Sequence, residues 1–276
     1  MITIGVRAHD FGKAHPDELF AQIADAGFEC IQLAMPKAIA GISSFDEVNA
    51  ATVRDIDRAL NRTGLKLAVL GCYFDLSTAD PEKSAYITAT TRKVMTIAQD
   101  LGAYCVASES SGCIVPKDDL AAFERLVTQV KSHLEIAREL KMPYCLEPVY
   151  YHALNSKERV LELKRRLGAD YLELIYDPTN LMDPQYLETQ EEYIASCLTA
   201  FEPMTTVYHV KDFHVGPDTT HGYQRCRLGD GSLKTQTLHD FFSARRQANL
   251  FVIREELAPA DATFEVDYLK RLVGRA

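Results

Sequence analysis

The sequence has no two cysteines in a Cys-x-x-Cys pair, no basic stripe, and no apolar run that approaches membrane-spanning length. Each absence closes a class of function. The seven cysteines (Cys30, Cys72, Cys105, Cys113, Cys145, Cys197 and Cys226) are odd in number, and several sit inside apolar runs. They read as small buried side chains in a reducing compartment, not as a disulfide framework or a thiolate zinc site. Acidic residues outnumber basic ones, 39 against 30, giving a net charge of −9 with both signs interspersed. A nucleic-acid face or an anionic membrane would want clustered Lys and Arg, so neither is an expected partner. The chain runs directly into Ile2-Thr3-Ile4-Gly5-Val6 without a basic leader, which makes a cytoplasmic location the expectation.

What is present is a regular alternation. The 276 residues are 47% hydrophobic and 25% charged, the balance of a globular protein with a substantial core. Strand-like runs cover 2–8, 30–34, 65–71, 103–107, 142–147, 171–176, 205–210 and 250–253. Runs with helical apolar spacing follow each of them, over 16–26, 44–62, 82–100, 117–140, 156–167, 187–200, 233–247 and 264–273. A long loop rich in Gly, Asp and His fills 211–232. No linker or low-complexity stretch marks a second domain. Eight βα units imply parallel strands with right-handed crossovers, and about 250 residues is the size of a closed (β/α)8 TIM barrel. The predicted architecture is therefore α/β, one barrel domain over 1–276. A doubly wound dinucleotide-binding sheet would want Gly-x-Gly-x-x-Gly in the first turn, where the chain has Arg7-Ala8-His9-Asp10-Phe11-Gly12.

Active sites of such barrels lie at the C-terminal ends of the strands. Strand one ends at His9-Asp10, strand five at Glu147-Pro148, strand six at Asp177-Pro178-Thr179-Asn180, strand seven at His209-Val210-Lys211-Asp212, and strand eight at Arg254-Glu255-Glu256. Taken singly, Asp177 reads equally well as a turn residue and Glu147 as an ion-pair partner. Four such groups on four consecutive strands, roughly 5 Å apart from strand to strand, point to one shared divalent cation. Three carboxylates with one imidazole favour Mn²⁺ or Mg²⁺; Co²⁺ and Zn²⁺ also suit the set. On strand seven, period two puts His209 and Lys211 on one face and Asp212 on the other, which gives Asp212 an orienting role. On strand eight, Glu255 and Glu256 point to opposite faces. If Glu255 faces in, Phe251 and Ile253 line the barrel and Arg254 meets a helix; if Glu256 faces in, Arg254 lies beside the substrate. We take Glu255.

The order strand–Glu, Asp-x-x-Asn, His-x-Lys-Asp and strand–Glu, with Gly-Phe-Glu-Cys-Ile-Gln-Leu at 27–33 and Leu-Gly-Asp-Gly-Ser-Leu at 228–233, resembles the sugar phosphate isomerase/epimerase superfamily of xylose isomerase-like barrels. The resemblance spans essentially the whole chain. It implies one divalent metal on Glu147, Asp177, His209 and Glu255, and a small sugar or polyol substrate. Glu147 and Glu255 would be the acid/base pair, passing a proton through an enediolate. It further implies a substrate contact from Asn180; Lys211, on the His209 face, is a substrate-contact candidate on that ground, and we add His9 and Arg227. Ketose 3-epimerases of the group carry a Glu and an Arg where this chain has Ala153 and Val215, so their sugar anchors are absent here. A metal-dependent dehydratase of a keto-polyol or dehydroshikimate-like acid is the second reading. Many relatives pair, which leaves a homo-oligomer open. Glu109, His152, His214 and Arg227 fall in loops at the active end, each individually expected to be peripheral. Tyr150 and Tyr151 are placed to wall a sugar pocket.

Overall fold

A computed structural model describes residues 1–216 and 223–275; part of the predicted 211–232 loop lies outside them. Eight strands run in parallel: β1 (Thr3–Arg7), β2 (Cys30–Leu33), β3 (Lys66–Gly71), β4 (Cys105–Glu109), β5 (Tyr144–Glu147), β6 (Leu172–Tyr176), β7 (Thr205–Val210) and β10 (Phe251–Arg254). Each pairs with its neighbour in chain order, and β10 closes on β1, so the sheet is a barrel without an edge. The alternation read from the sequence is this barrel. Between β7 and the next helix stands an antiparallel hairpin, β8 (Asp212–Val215) and β9 (Tyr223–Cys226), where the sequence predicts only loop. Its strands have only four residues each, too short for alternation to stand out from a polar loop.

The barrel interior is filled by small and branched side chains, among them Cys30, Ala68, Val69, Cys145, Val207 and Ile253. A larger apolar layer, carrying residues such as Ile4, Leu70, Leu146 and Val252, packs the outer face of the sheet against the helices. All seven cysteines are free, and three of them (Cys30, Cys105, Cys145) belong to the barrel interior. Their burial follows from size: a thiol fits where a taper of eight strands leaves no room for leucine.

Helix boundaries shift where capping chemistry intervenes. The helix predicted over 44–62 is α3 (Ala50–Thr63), preceded by a separate 3₁₀ turn, Phe45–Glu47. Ser44 and Glu47 form a reciprocal capping box on that turn, and Asn49 Oδ1 then accepts from Ala51 N at 2.9 Å to begin the true helix. The helix predicted over 187–200 likewise splits into a 3₁₀ segment, Pro184–Thr189, and a helix at Gln190–Phe201. Strand β4 runs two residues further than predicted, which places Glu109 on a strand end instead of in a loop. No helix among the described residues is long and apolar enough to cross a membrane.

Candidate metal centre and active site

Period two carries Arg254 outward at the end of β10. Its side chain is fully buried against the final helix, Ala262–Leu272, where Nη2 donates to Glu265 Oε1 at 2.9 Å and Nε to Glu265 Oε2. Glu255 must then face the barrel mouth, and Phe251 and Ile253 pack with the interior cluster below it. Glu256 takes φ 67°, a left-handed conformation strained for a side chain with a Cβ, and pairs with Arg225 Nε at 3.2 Å at the wall of the cavity above. Of the two adjacent glutamates, Glu255 is the inward one.

Glu147, Asp177, His209 and Glu255 are all buried, and each offers a ligand atom within 4.8 Å of the others. Glu147 Oε1 accepts from Asn180 Nδ2 at 2.6 Å and lies 3.1 Å from His209 Nδ1. Asp177 Oδ1 accepts from the backbone N–H of Thr179 at 2.7 Å and of Asn180 at 3.3 Å. The Asp-Pro-Thr-Asn string is thus both a turn and a delivery device: one carboxylate oxygen fixes the turn and the other is aimed at the site. Glu147 Oε2 and Asp177 Oδ2 are buried and accept no hydrogen bond among the described residues. Two acceptors left in that condition are what a cation would satisfy.

Two cations of the chain itself enter this anionic volume. Lys211 Nζ donates to Glu255 Oε2 and stands 3.4 Å from Asp177 Oδ2. Arg7 Nη1 donates to Glu255 Oε1 at 2.7 Å, while its Nη2 meets Asp10 Oδ1 at 2.8 Å. Burial alone would raise the Glu255 carboxyl; Lys211, Arg7 and His209 overcome it and hold that group well below the usual carboxylate range. Asp177 goes the other way: burial, against the opposing pull of Lys211, raises it to about 6. Burial alone would lower the His209 imidazole, but Glu147 in contact raises it above its ordinary value. Glu109, in register with Glu147 on the adjacent strand, is pushed up to about 7, first by burial and then by Glu147 and Glu255.

A cavity of about 440 Å³ opens above the cluster. Tyr150, Tyr151, Tyr223 and Arg225 wall it, and Asn180 and Lys211 belong to both cavity and cluster. The Tyr150 and Tyr223 rings lie 5.9 Å apart, and Phe213 is 4.5 Å from Tyr223, so the hairpin supplies one wall.

Some sequence expectations fall elsewhere. Arg227 is turned away: it pairs with Asp230 at 3.0 Å and lies 4.2 Å over the Phe264 ring, so it fixes the loop to the last helix instead of facing the cavity. The arginine at the cavity is Arg225, which the sequence reading passed over. Asp212 orients no ligand. Its carboxylate accepts from the backbone N–H of Phe213 at 2.8 Å and of Gly229, Gly231 and Leu233 at 3.0 Å each, gathering the 228–233 loop around one group. A Cβ on Gly231 would lie 2.1 Å from Asp212 Oδ1, which explains the glycine. His9 sits on the 3₁₀ turn after β1, with Nδ1 buried and without a hydrogen-bond partner among the described residues; burial and Arg7 push it down to about 4. Arg7 and Gln32 join the site unannounced, and Glu109, expected to be peripheral, joins it as well. Arg7 and Gln32 were legible only as the residues preceding a strand end, and Glu109 was hidden by the two-residue error in β4.

The model of one family, the xylose isomerase-like TIM barrels, matches residues 20–272. The chain belongs to that family. Solved structures agree in fold. This xylose isomerase-like barrel is similar to L-ribulose 3-epimerase (15% identity over 99% of this chain and 95% of that one, TM-score 0.78). It is similar also to an E. coli 3-keto-D-glucoside 4-epimerase (14%, 98% and 99%, TM-score 0.75). A third is a xylose isomerase-like TIM barrel protein from Mycobacterium smegmatis in complex with magnesium (15%, 99% and 97%, TM-score 0.71). No curated protein matches the sequence. The fold and the cluster together give a xylose isomerase-like TIM barrel with four buried groups, Glu147, Asp177, His209 and Glu255, that could hold a metal ion.

Proposed function

We propose that this barrel is a divalent-metal-dependent isomerase or epimerase of a small sugar or polyol. The observation that carries the reading is the pair of buried carboxylates, Glu147 and Glu255, flanking Asp177 and His209 on consecutive strands beneath an aromatic cavity. Glu147, Asp177, His209 and Glu255 would hold the ion; two carboxylate oxygens that accept no hydrogen bond among the described residues, in a donor set of three carboxylates and one imidazole, fit Mn²⁺ or Mg²⁺. When bound, such an ion supplies a Lewis acid next to the carbonyl whose neighbouring C–H is to be broken. In support, barrels of similar fold include an L-ribulose 3-epimerase and a 3-keto-D-glucoside 4-epimerase, and another was crystallised with magnesium.

The chain's own groups divide the proton work. Lys211 and Arg7 keep Glu255 ionised, the state needed to accept a proton from carbon. Glu147, whose Oε1 is held by Asn180, would pass to the substrate a proton taken up from solvent, and the proton accepted by Glu255 would leave to solvent, so that the cycle balances. Return to the opposite face of the same carbon gives an epimer; return to the neighbouring carbon gives an isomer. Tyr150, Tyr151 and Tyr223 exclude water and offer ring faces to the C–H side of a polyol.

The test is incubation with Mn²⁺ and a panel of ketoses, inososes and keto-glycosides in deuterated water, read by proton NMR. Deuterium entering at a carbon next to the carbonyl, in the wild type and not in Glu147→Gln or Glu255→Gln, supports the proposal. Exchange that survives both substitutions sinks it. A growing enone or catechol absorbance without exchange into recovered substrate moves the assignment to a dehydratase. Alanine at Glu147 or His209 should abolish metal retention in a folded barrel.

A further inference from the structure

Gln32 stands on β2 directly above the barrel interior. Cys30, two residues earlier on the same face, packs with the interior cluster, and Gln32 is 1% exposed. Its amide lies between two partners from other strands. Oε1 is 2.7 Å from His209 Nε2, and Nε2 donates to the Tyr73 hydroxyl. Tyr73 follows β3, and its ring lies so close to that strand that a Cβ on Gly71 would meet Tyr73 Cε2 at 2.5 Å. Gly71 is therefore the residue that admits the ring, and the ring holds the amide. The register of β2 with β3 shifts between Ile31 and Gln32, which sets Gln32 apart from the regular ladder below it.

The chemistry of these contacts is one-directional. An amide oxygen only accepts, so the imidazole nitrogen facing it must carry the proton. With Nε2 protonated, neutral His209 has its lone pair on Nδ1. That nitrogen is 3.1 Å from Glu147 Oε1 and 3.9 Å from Glu255 Oε1. A lone pair facing carboxylate oxygens at that distance requires a positive centre between them, either a proton or a metal ion. Were the amide reversed, its N–H₂ would face Nε2, Nδ1 would carry the proton, and the imidazole could not ligate in that direction.

We propose that Gln32, held by Tyr73, is a positioning residue that fixes the Nε2–H tautomer of His209 and thereby presents Nδ1 to the metal centre. The tautomer half of this stands on the metal-free protein; the metal half rests on the function proposed above.

The experiment uses full-length protein labelled with ¹⁵N at histidine. In metal-free protein, long-range ¹H–¹⁵N correlation should show Nε2 protonated, with or without a second proton shared between Nδ1 and Glu147. Gln32→Leu, which removes the acceptor at similar volume, should lose that preference and weaken Mn²⁺ binding by calorimetry about 10- to 100-fold. Gln32→Glu, which keeps an acceptor oxygen, should restore both. If Gln32→Leu does not fold, Tyr73→Phe serves instead; releasing the amide should give a mixture of tautomers and a smaller loss of affinity. A wild-type His209 whose Nε2 carries no proton overturns the proposal. So does a folded Gln32→Leu, or in its place Tyr73→Phe, with unchanged tautomer and affinity. If the tautomer responds as expected but wild-type protein binds no divalent ion, Gln32 keeps its role on His209 and the metal-dependent function fails alone.

Discussion

The Lys211 ammonium stands 3.4 Å from Asp177 Oδ2 while donating to Glu255, so the chain's own cation occupies the space that the carboxylates enclose. Strand periodicity put Lys211 on the His209 face; only the closed barrel brings Asp177 and Glu255 to meet it. Removing this charge should separate two effects. Lys211→Met should bind Mn²⁺ about tenfold more tightly or better, because an internal competitor is gone, a gain of about 1.4 kcal/mol per tenfold. The same variant without metal should be less stable by about 3 kcal/mol, since it leaves carboxylates buried and unpaired. Calorimetry and chemical denaturation check the two halves; weaker metal binding with unchanged apo stability would contradict them.

The Arg254–Glu265 pair is buried on both sides, and Glu265 also receives the backbone N–H of Leu228 at 3.0 Å. It therefore ties β10, the last helix and the loop behind the hairpin to one another. Glu265→Gln should destabilise the protein by about 3–5 kcal/mol by stranding the Arg254 charge, whereas Arg254→Met combined with Glu265→Met should recover much of the loss. Urea midpoints for the single and double variants measure this. A single variant within about 0.5 kcal/mol of wild type would mean that the guanidinium finds another partner or water.

Asp212 accepts four backbone N–H groups, two on each carboxylate oxygen. Asp212→Asn replaces one acceptor oxygen by an N–H₂ that faces donors, and should lower stability by about 1–3 kcal/mol. Because Asp212 touches none of the four cluster residues, metal stoichiometry should remain that of the wild type. Loss of metal with unchanged unfolding would show instead that the loop's position feeds directly into the site. Gly231→Ala should act in the same direction as Asp212→Asn, through the close approach at its Cβ.

His133 lies far from this chemistry, buried in the long helix Leu120–Leu140 against the Tyr144 ring at 5.0 Å, with Nε2 paired to Gln129 at 2.9 Å. Burial pushes it down to about 3, so the folded state holds it neutral while the unfolded chain protonates near 6.5. The stability that a neutral His133 allows is therefore fully present above about pH 6.5 and is lost as pH falls toward 3, at roughly 1.4 kcal/mol per unit. His133→Gln should flatten the acid limb of the stability profile between pH 6 and 4 relative to wild type. Parallel limbs for the two proteins would refute it.

How much of this was legible beforehand follows from the range of each signal. Hydrophobic period and turn residues act within a few positions, and they gave eight βα units in the right order. The strand-end residues Glu147, Asp177, His209 and Glu255 were visible because barrels put strand ends on one rim. The Glu255/Glu256 choice rested on a two-residue period that the sequence could phase either way. The buried partnership of Arg254 with Glu265 is the contact that phases it. Arg227 was misplaced and Arg225 overlooked because a hairpin of two four-residue strands, not predicted, sets which of the two faces the cavity.

The sequence by itself determined the βα alternation, the closed-barrel class and the four acidic or imidazole groups at consecutive strand ends, since these depend on local propensity and on chain order. Tertiary structure alone decided that Lys211 points between Asp177 and Glu255, that Arg7 steadies Glu255, and that Gln32 meets His209. Those contacts join residues up to 248 positions apart. Their geometry is set by strand register and by the stagger of a closed sheet, quantities that no stretch of sequence carries on its own.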